Sequence, residues 1–105
     1  MSTVQTTGQA ISLTEAAGLT AQYRAQNPSA PLANLFGSNI IMQVLSQPGA
    51  VGIRIYYGLS TGTTGLQLVL VGVDVNGNDI VPGVYGDRSE ICPPMCSTSN
   101  PINGL

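Results

Sequence analysis

The chain has 105 residues, of which only three arginines and five acids carry a formal charge, and it contains no histidine. Histidine is the commonest proton shuttle near neutrality and a frequent metal ligand, so few side chains remain for a catalytic constellation, and no catalytic residue and no cofactor are expected. A net charge of −2 with the scattered cations Arg24, Arg54 and Arg88 excludes the clustered basic footprint of a nucleic-acid binder.

Residues 1–11 read as a polar arm: the stretch Met1–Ala10 has no basic n-region, no apolar h-region and no small-residue cleavage site, hence no visible signal peptide. Ser12-Leu13-Thr14-Glu15 then matches a capping box, and Ala16, Leu19 or Thr20, and Tyr23 follow at helical spacing. This first helix must stop near Asn27, because Pro28 disfavours helical geometry in the residue before it. Gly18 weakens it by about 1 kcal/mol relative to alanine. Residues 28–37 form a Pro, Ala and Asn connector with a short turn around Leu32 to Phe36. A second helix is predicted from Ser38 or Asn39 to Ser46, with Ile40, Ile41, Val44 and Leu45 on one face and Gln47-Pro48-Gly49 ending it.

Residues 52–59 alternate, placing Ile53, Ile55 and Tyr57 on one face of a strand and Arg54 and Tyr56 on the other. After a loop of small residues at 60–65, residues 66–75 form a second strand that is apolar on both faces. Its longest apolar run, Leu68 to Val73, is far short of the roughly 20 residues that span a bilayer, so no membrane span is expected. Asn76-Gly77 signals a hairpin turn, and a third strand is predicted around Ile80 to Tyr85, confined by Pro82 to an edge or a bulge. The predicted fold is α+β: two short N-terminal helices packed on a small antiparallel meander, comprising one domain over residues 12–86 between the arm and a C-terminal tail at 87–105.

Three clusters invite a chemical reading. Cys92-Pro93-Pro94-Met95-Cys96 can close a disulfide loop, remain as free thiols, or serve redox or metal chemistry. The spacing departs from C-x-x-C, and a closed zinc site needs four ligands, so the Cys92–Cys96 staple is the preferred reading. Asp74, Asn76 and Asn78 imitate the start of a calcium loop, but Asp79 stands where that loop requires glycine and Tyr85 where it requires glutamate. A hairpin turn explains the same residues, and no metal site is expected. Asp87, Arg88 and Glu90 read as a solvated loop, and no G-x-S-x-G elbow is present.

The elements leave an imbalance. Val69, Val71, Val73 and Val75 face away from Leu66, Leu68 and Leu70, and two short helices cover only one sheet face. The arm, the tail or another copy of the chain must cover the rest. The low charge and a mean hydropathy of +0.23 offer weak protection against association. The expectation is therefore a non-enzymatic structural protein whose partner is itself, in a homo-oligomer or filament built through Tyr56, Val69, Val71 and Val73, at the cell surface or outside the cell. The alternatives are a small-ligand or calcium module at residues 74–79, or a redox protein using Cys92 and Cys96.

Over residues 11–96 the chain resembles small uncharacterised proteins of Bacteroidetes-type bacteria. The resemblance rests on Thr-Ala-Gln-Tyr-Arg at residues 20–24, Gln-Pro-Gly at 47–49, Arg-Ile-Tyr-Tyr-Gly at 54–58, the stretch Val69 to Asp79, and the Cys-Pro-Pro-x-Cys tail. It implies family coherence without a catalytic motif. Those relatives are richly charged where this chain is depleted, which implies a version adapted to packing against its own copies.

Overall fold

The computed structural model describes residues 4–59 and 67–105. It is a mixed α+β protein with two helices and two small antiparallel sheets among the described residues. The predicted loop at residues 60–65 and Leu66 lie outside them. Helix α1 spans Leu13–Gln26. The Ser12 hydroxyl accepts from the Glu15 amide at 3.0 Å and donates to the Glu15 carboxylate, so the capping box closes through the serine side chain. Asn27 ends the helix, its amide donating to the Tyr23 carbonyl at 2.9 Å. Helix α2 spans Ser38–Leu45 after an extended Gly37.

Strand β1, Ala33–Leu35, lies where the sequence predicts a connector, and strand β5, Glu90–Cys92, lies in the predicted tail. The two pair antiparallel, with Asn34 opposite Ile91. The Leu32 amide adds a bond to the Cys92 carbonyl at 2.7 Å, and the Asn34 side-chain amide donates to Ser89 at 2.8 Å. Three-residue strands carry too little alternation to be seen in a sequence. Connector and tail become strands because each offers the other a free backbone edge.

The second sheet has the order β2-β3-β4, with β2 at Gly52–Tyr56, β3 at Val69–Val73 and β4 at Tyr85–Gly86. The predicted third strand is interrupted. Asp79 bridges to Val73, the Ile80 amide donates to the Gly72 carbonyl at 2.8 Å, and Tyr85 pairs with Val71, while residues 81–84 loop out around Pro82, which has no amide hydrogen for a ladder. The Val84 amide is instead taken by Gln47 Oε1 at 2.7 Å. Strand β3 stops at Val73 because the turn begins there: the Asp74 amide bonds the Asn78 carbonyl, and Gly77 takes a φ of 83°.

Helix α2 covers one sheet face and contacts all three strands. Val44 is fully buried at 0% exposure, and Leu70 is buried beneath the same helix. Helix α1 has no fully buried residue. Its polar contacts run to the C-terminal segment, where Thr20 Oγ1 and Arg24 Nη1 each donate to the Ile102 carbonyl at 2.7 Å. The helix lies there because Leu13, Leu19 and Tyr23 are interleaved with Thr, Gln and Gly and form no broad stripe to set into the sheet.

Gly86 marks the tightest part of the core: a Cβ there would come within 2.7 Å of Ile40 Cγ1. Replacing Gly86→Ala is expected to destabilise the fold by about 1–3 kcal/mol through overpacking. Gly18→Ala, with nothing within 4 Å of the added methyl, should instead stabilise α1 by about 0.5–1 kcal/mol. Urea unfolding of both variants checks the pair of opposite signs.

Candidate functional site

Antiparallel register places Arg54 opposite Val71 and Tyr56 opposite Val69, all on the sheet face away from α2. Tyr85, opposite Val71, and Asp79, opposite Val73, stand on that face from the other side of β3. From the β2 side, the Arg54 guanidinium therefore reaches across the central strand to Asp79 Oδ1 at 2.5 Å and to the Gly77 carbonyl at 3.1 Å. The Tyr56 hydroxyl donates to the other oxygen of Asp79. At the far end of the face, Val4 of the short 3-10 turn Val4–Thr6 lies over Gly52, which is opposite Val73.

This arrangement corrects the expected contact surface. Val71 and Val73 are only 6% and 3% exposed, so they are not available to another copy of the chain. The covering comes from within: arm residue Val4 at one end, and the stems of Arg54 and Tyr56, drawn across by Asp79, over the rest. Long side chains shelter apolar surface while their polar heads stay in water. Val69 is half-buried and Tyr56 is exposed, but the Tyr56 hydroxyl is committed to Asp79. Asp79, which the sequence reading treats as a failed calcium position, is the residue that organises the face. Its signal in the sequence was an acid just past a hairpin turn, facing an arginine on the wet side of a neighbouring strand.

The electrostatics follow from these contacts. The hydrogen bond from Tyr56 is the largest influence on the Asp79 carboxyl, and with the hydrogen bond and charge of Arg54 it holds that carboxyl below its ordinary value, against an opposing effect of burial that exceeds either arginine contribution. The same carboxylate raises the pKa of Tyr56, and likewise that of Arg54, chiefly by hydrogen bonding.

The other candidates take structural roles. Asp74 Oδ1 accepts from the amides of Asn76 and Asn78 at 2.9 and 3.0 Å, which commits that oxygen to the turn. Among the described residues no group of three or more His, Cys, Asp or Glu side chains could hold a metal ion. Cys92 and Cys96 are joined in a disulfide, with a Cα–Cα separation of 4.8 Å, and Cys92 is buried. Beyond it the tail is braced by a reciprocal pair that sequence reasoning missed: each of Asn100 and Asn103 accepts the other's backbone amide, at 2.8 and 3.0 Å.

No family model, no curated protein and no solved structure matches the chain.

Two predictions test the described contacts. Asp79 has a lowered pKa when folded, so its contribution to stability is present above the unfolded value of about 3.9 and lost as the pH falls through the folded one. Tyr56 has a raised pKa, so its contribution is present below about 10 and lost as the pH rises through the folded value. The thermal midpoint of the native protein should fall at both ends, and Asp79→Asn should flatten both limbs when midpoints are measured against pH. Replacing both cysteines by alanine should cost about 2 kcal/mol, the loop-entropy expectation for so short a ring; an unchanged urea midpoint would contradict it.

Proposed function

We propose that the protein is a non-enzymatic structural protein that self-associates, and that the contact runs along the edge strand β2 rather than over the valine face. The observation that carries this reading is a run of exposed apolar residues that begins on β2 and continues past its end at Tyr56. Ile55, Tyr57 and Leu59 recur at every second position, and are 51%, 84% and 78% exposed. Strand β2 stands at the end of its sheet among the described residues, so one row of its backbone donors and acceptors faces outward. Natural edge strands are commonly guarded by lysine, proline or a bulge. None of these occurs between Gly52 and Leu59, and the one charge, Arg54, is drawn inward over β3.

The dimensions of the chain agree. Its accessible surface is 7444 Å², against about 5,500 Å² for a compact monomer of this mass. Its radius of gyration is 15.4 Å, against about 13 Å for a compact domain of this length. The surplus of about 1,900 Å² per chain corresponds to about 3,800 Å² over two copies, in the size class of obligate interfaces. The intrachain disulfide supports an oxidising compartment, in keeping with a place at the cell surface or beyond. A strand-edge contact propagates into a ring or a fibre according to whether its rotation closes.

Light scattering coupled to size exclusion tests the proposal. At high micromolar concentration the wild-type protein should exceed its chain mass of 10.8 kDa. Tyr57→Lys, at a position too exposed to support the core, should return it to that mass with an unchanged thermal midpoint. A wild-type chain that elutes as a monomer at every concentration defeats the reading.

A further inference from the structure

An apolar concavity lies away from the sheet edge. It is a cavity of about 690 Å³ between α1, the β1-β5 sheet and the C-terminal segment, within the range of roughly 300–1,000 Å³ that small-molecule sites occupy. Leu19 and Tyr23 from α1, Leu35 from β1, Met95 from the disulfide loop and Ile102 from the tail all line it. Each stays substantially exposed, so the fold gathers these side chains around a space without filling it.

The walls are held apart by dedicated links. The disulfide fixes the loop that carries Met95, Thr20 and Arg24 clamp Ile102, and the Asn100–Asn103 pair fixes the turn behind it. Walls tied by covalent and polar bonds do not depend on mutual apolar contact to stay in place, which is the condition for a preformed site.

Arg24 gives the cavity its chemistry. It lines the space, spends one donor on the Ile102 carbonyl, and forms no ion pair among the described residues, where the Arg54–Asp79 bridge is formed instead. A guanidinium has five N–H donors, so donors remain for a carboxylate. Gly104 lies against this group: its φ of 67° favours glycine, and a Cβ there would come within 2.5 Å of Arg24 Cζ and displace the guanidinium. Glu90 also lines the cavity, but it stands opposite Leu35, on a different segment from the Arg24 clamp. An anionic head is therefore drawn to one place and repelled from the other.

We propose that this cavity binds a small amphiphile, an apolar chain or ring bearing one carboxylate, with the carboxylate on Arg24 and the apolar body among Leu19, Tyr23, Met95 and Ile102. A second copy is a poorer occupant, because a concave space needs an inserted segment, whereas the apolar run from Ile55 to Leu59 is presented along β2 and the residues that follow it.

The test is a titration of the full chain with decanoate and, separately, with decanol, followed by amide and methyl NMR at a protein concentration where light scattering finds one species throughout. Self-association then does not enter the result. Decanoate should give saturable shifts at Leu19, Tyr23, Met95 and Ile102, with β2 and β3 unmoved. Arg24→Gln should weaken decanoate about tenfold, the loss expected for one charge-assisted contact, and leave decanol within about twofold. Leu19→Glu, at an exposed position on the cavity wall, should abolish both while the sheet signals stay in place, and it keeps the test decisive if Arg24→Gln loosens the tail. The proposal is overturned by an absence of saturable shifts with either probe, by equal weakening of both in Arg24→Gln, or by cavity signals that move on protein dilution alone, which would assign the space to a second copy.

Discussion

The fold turns on the burial of one strand from both sides. β3 carries apolar residues on each of its faces, and the chain covers them by unlike means. Helix α2 sets Val44 and its neighbours against the Leu70 face, which is ordinary apolar packing. The Val71 and Val73 face is closed by Arg54 and Tyr56 reaching over β3 to Asp79, with Val4 at the end. Exposed ion pairs contribute little through their Coulomb energy, about 0–1 kcal/mol at the median. The value of this one lies in where it draws two long side chains. An arginine directed outward would leave the valines wet, and the same two charges would do nothing for the sheet.

The remaining half of the molecule is held by different forces. Among the described residues, helix α1, the β1-β5 pair and the C-terminal segment have few buried side chains, Cys92 being the buried apolar one. They are joined by a disulfide, backbone pairing and polar side-chain tethers. Small domains with thin cores commonly use covalent staples in this way. Regions with few buried apolar contacts open at lower free energy than a packed core, so this half is the softer one. It is also the half that encloses the apolar cavity. A tightly packed sheet and helix thus sit beside a tethered frame around an open space.

Low charge is common to the two halves. Apolar side chains that the core does not use, at Tyr57 and Leu59 just past the end of β2 and at Leu19 and Met95 around the cavity, stand on a surface with few ions to keep copies apart. The two sets differ in shape, one presented along a strand and one concave. That difference separates the surface proposed to meet another copy from the cavity proposed to take a small amphiphile.

Much of the secondary structure was legible because it is governed by local physics. Ser12 with Glu15, Pro28, Gln47-Pro48-Gly49 and Asn76-Gly77 mark chain direction within a few residues, and the alternation from Gly52 onward marks a strand with one wet face. The cysteine spacing pointed to the staple that Cys92 and Cys96 form. The β1-β5 pair could not be read, since each strand is three residues long and exists only because the other lies beside it. Nor could the fate of the valine face. The sequence by itself determined that one strand is too apolar to stand alone and that few charges are available to shield it. Only the tertiary structure decided that Arg54, Tyr56 and Asp79 provide the shield, because register brings residues 23 to 25 positions apart onto one face, and local spacing carries no record of register.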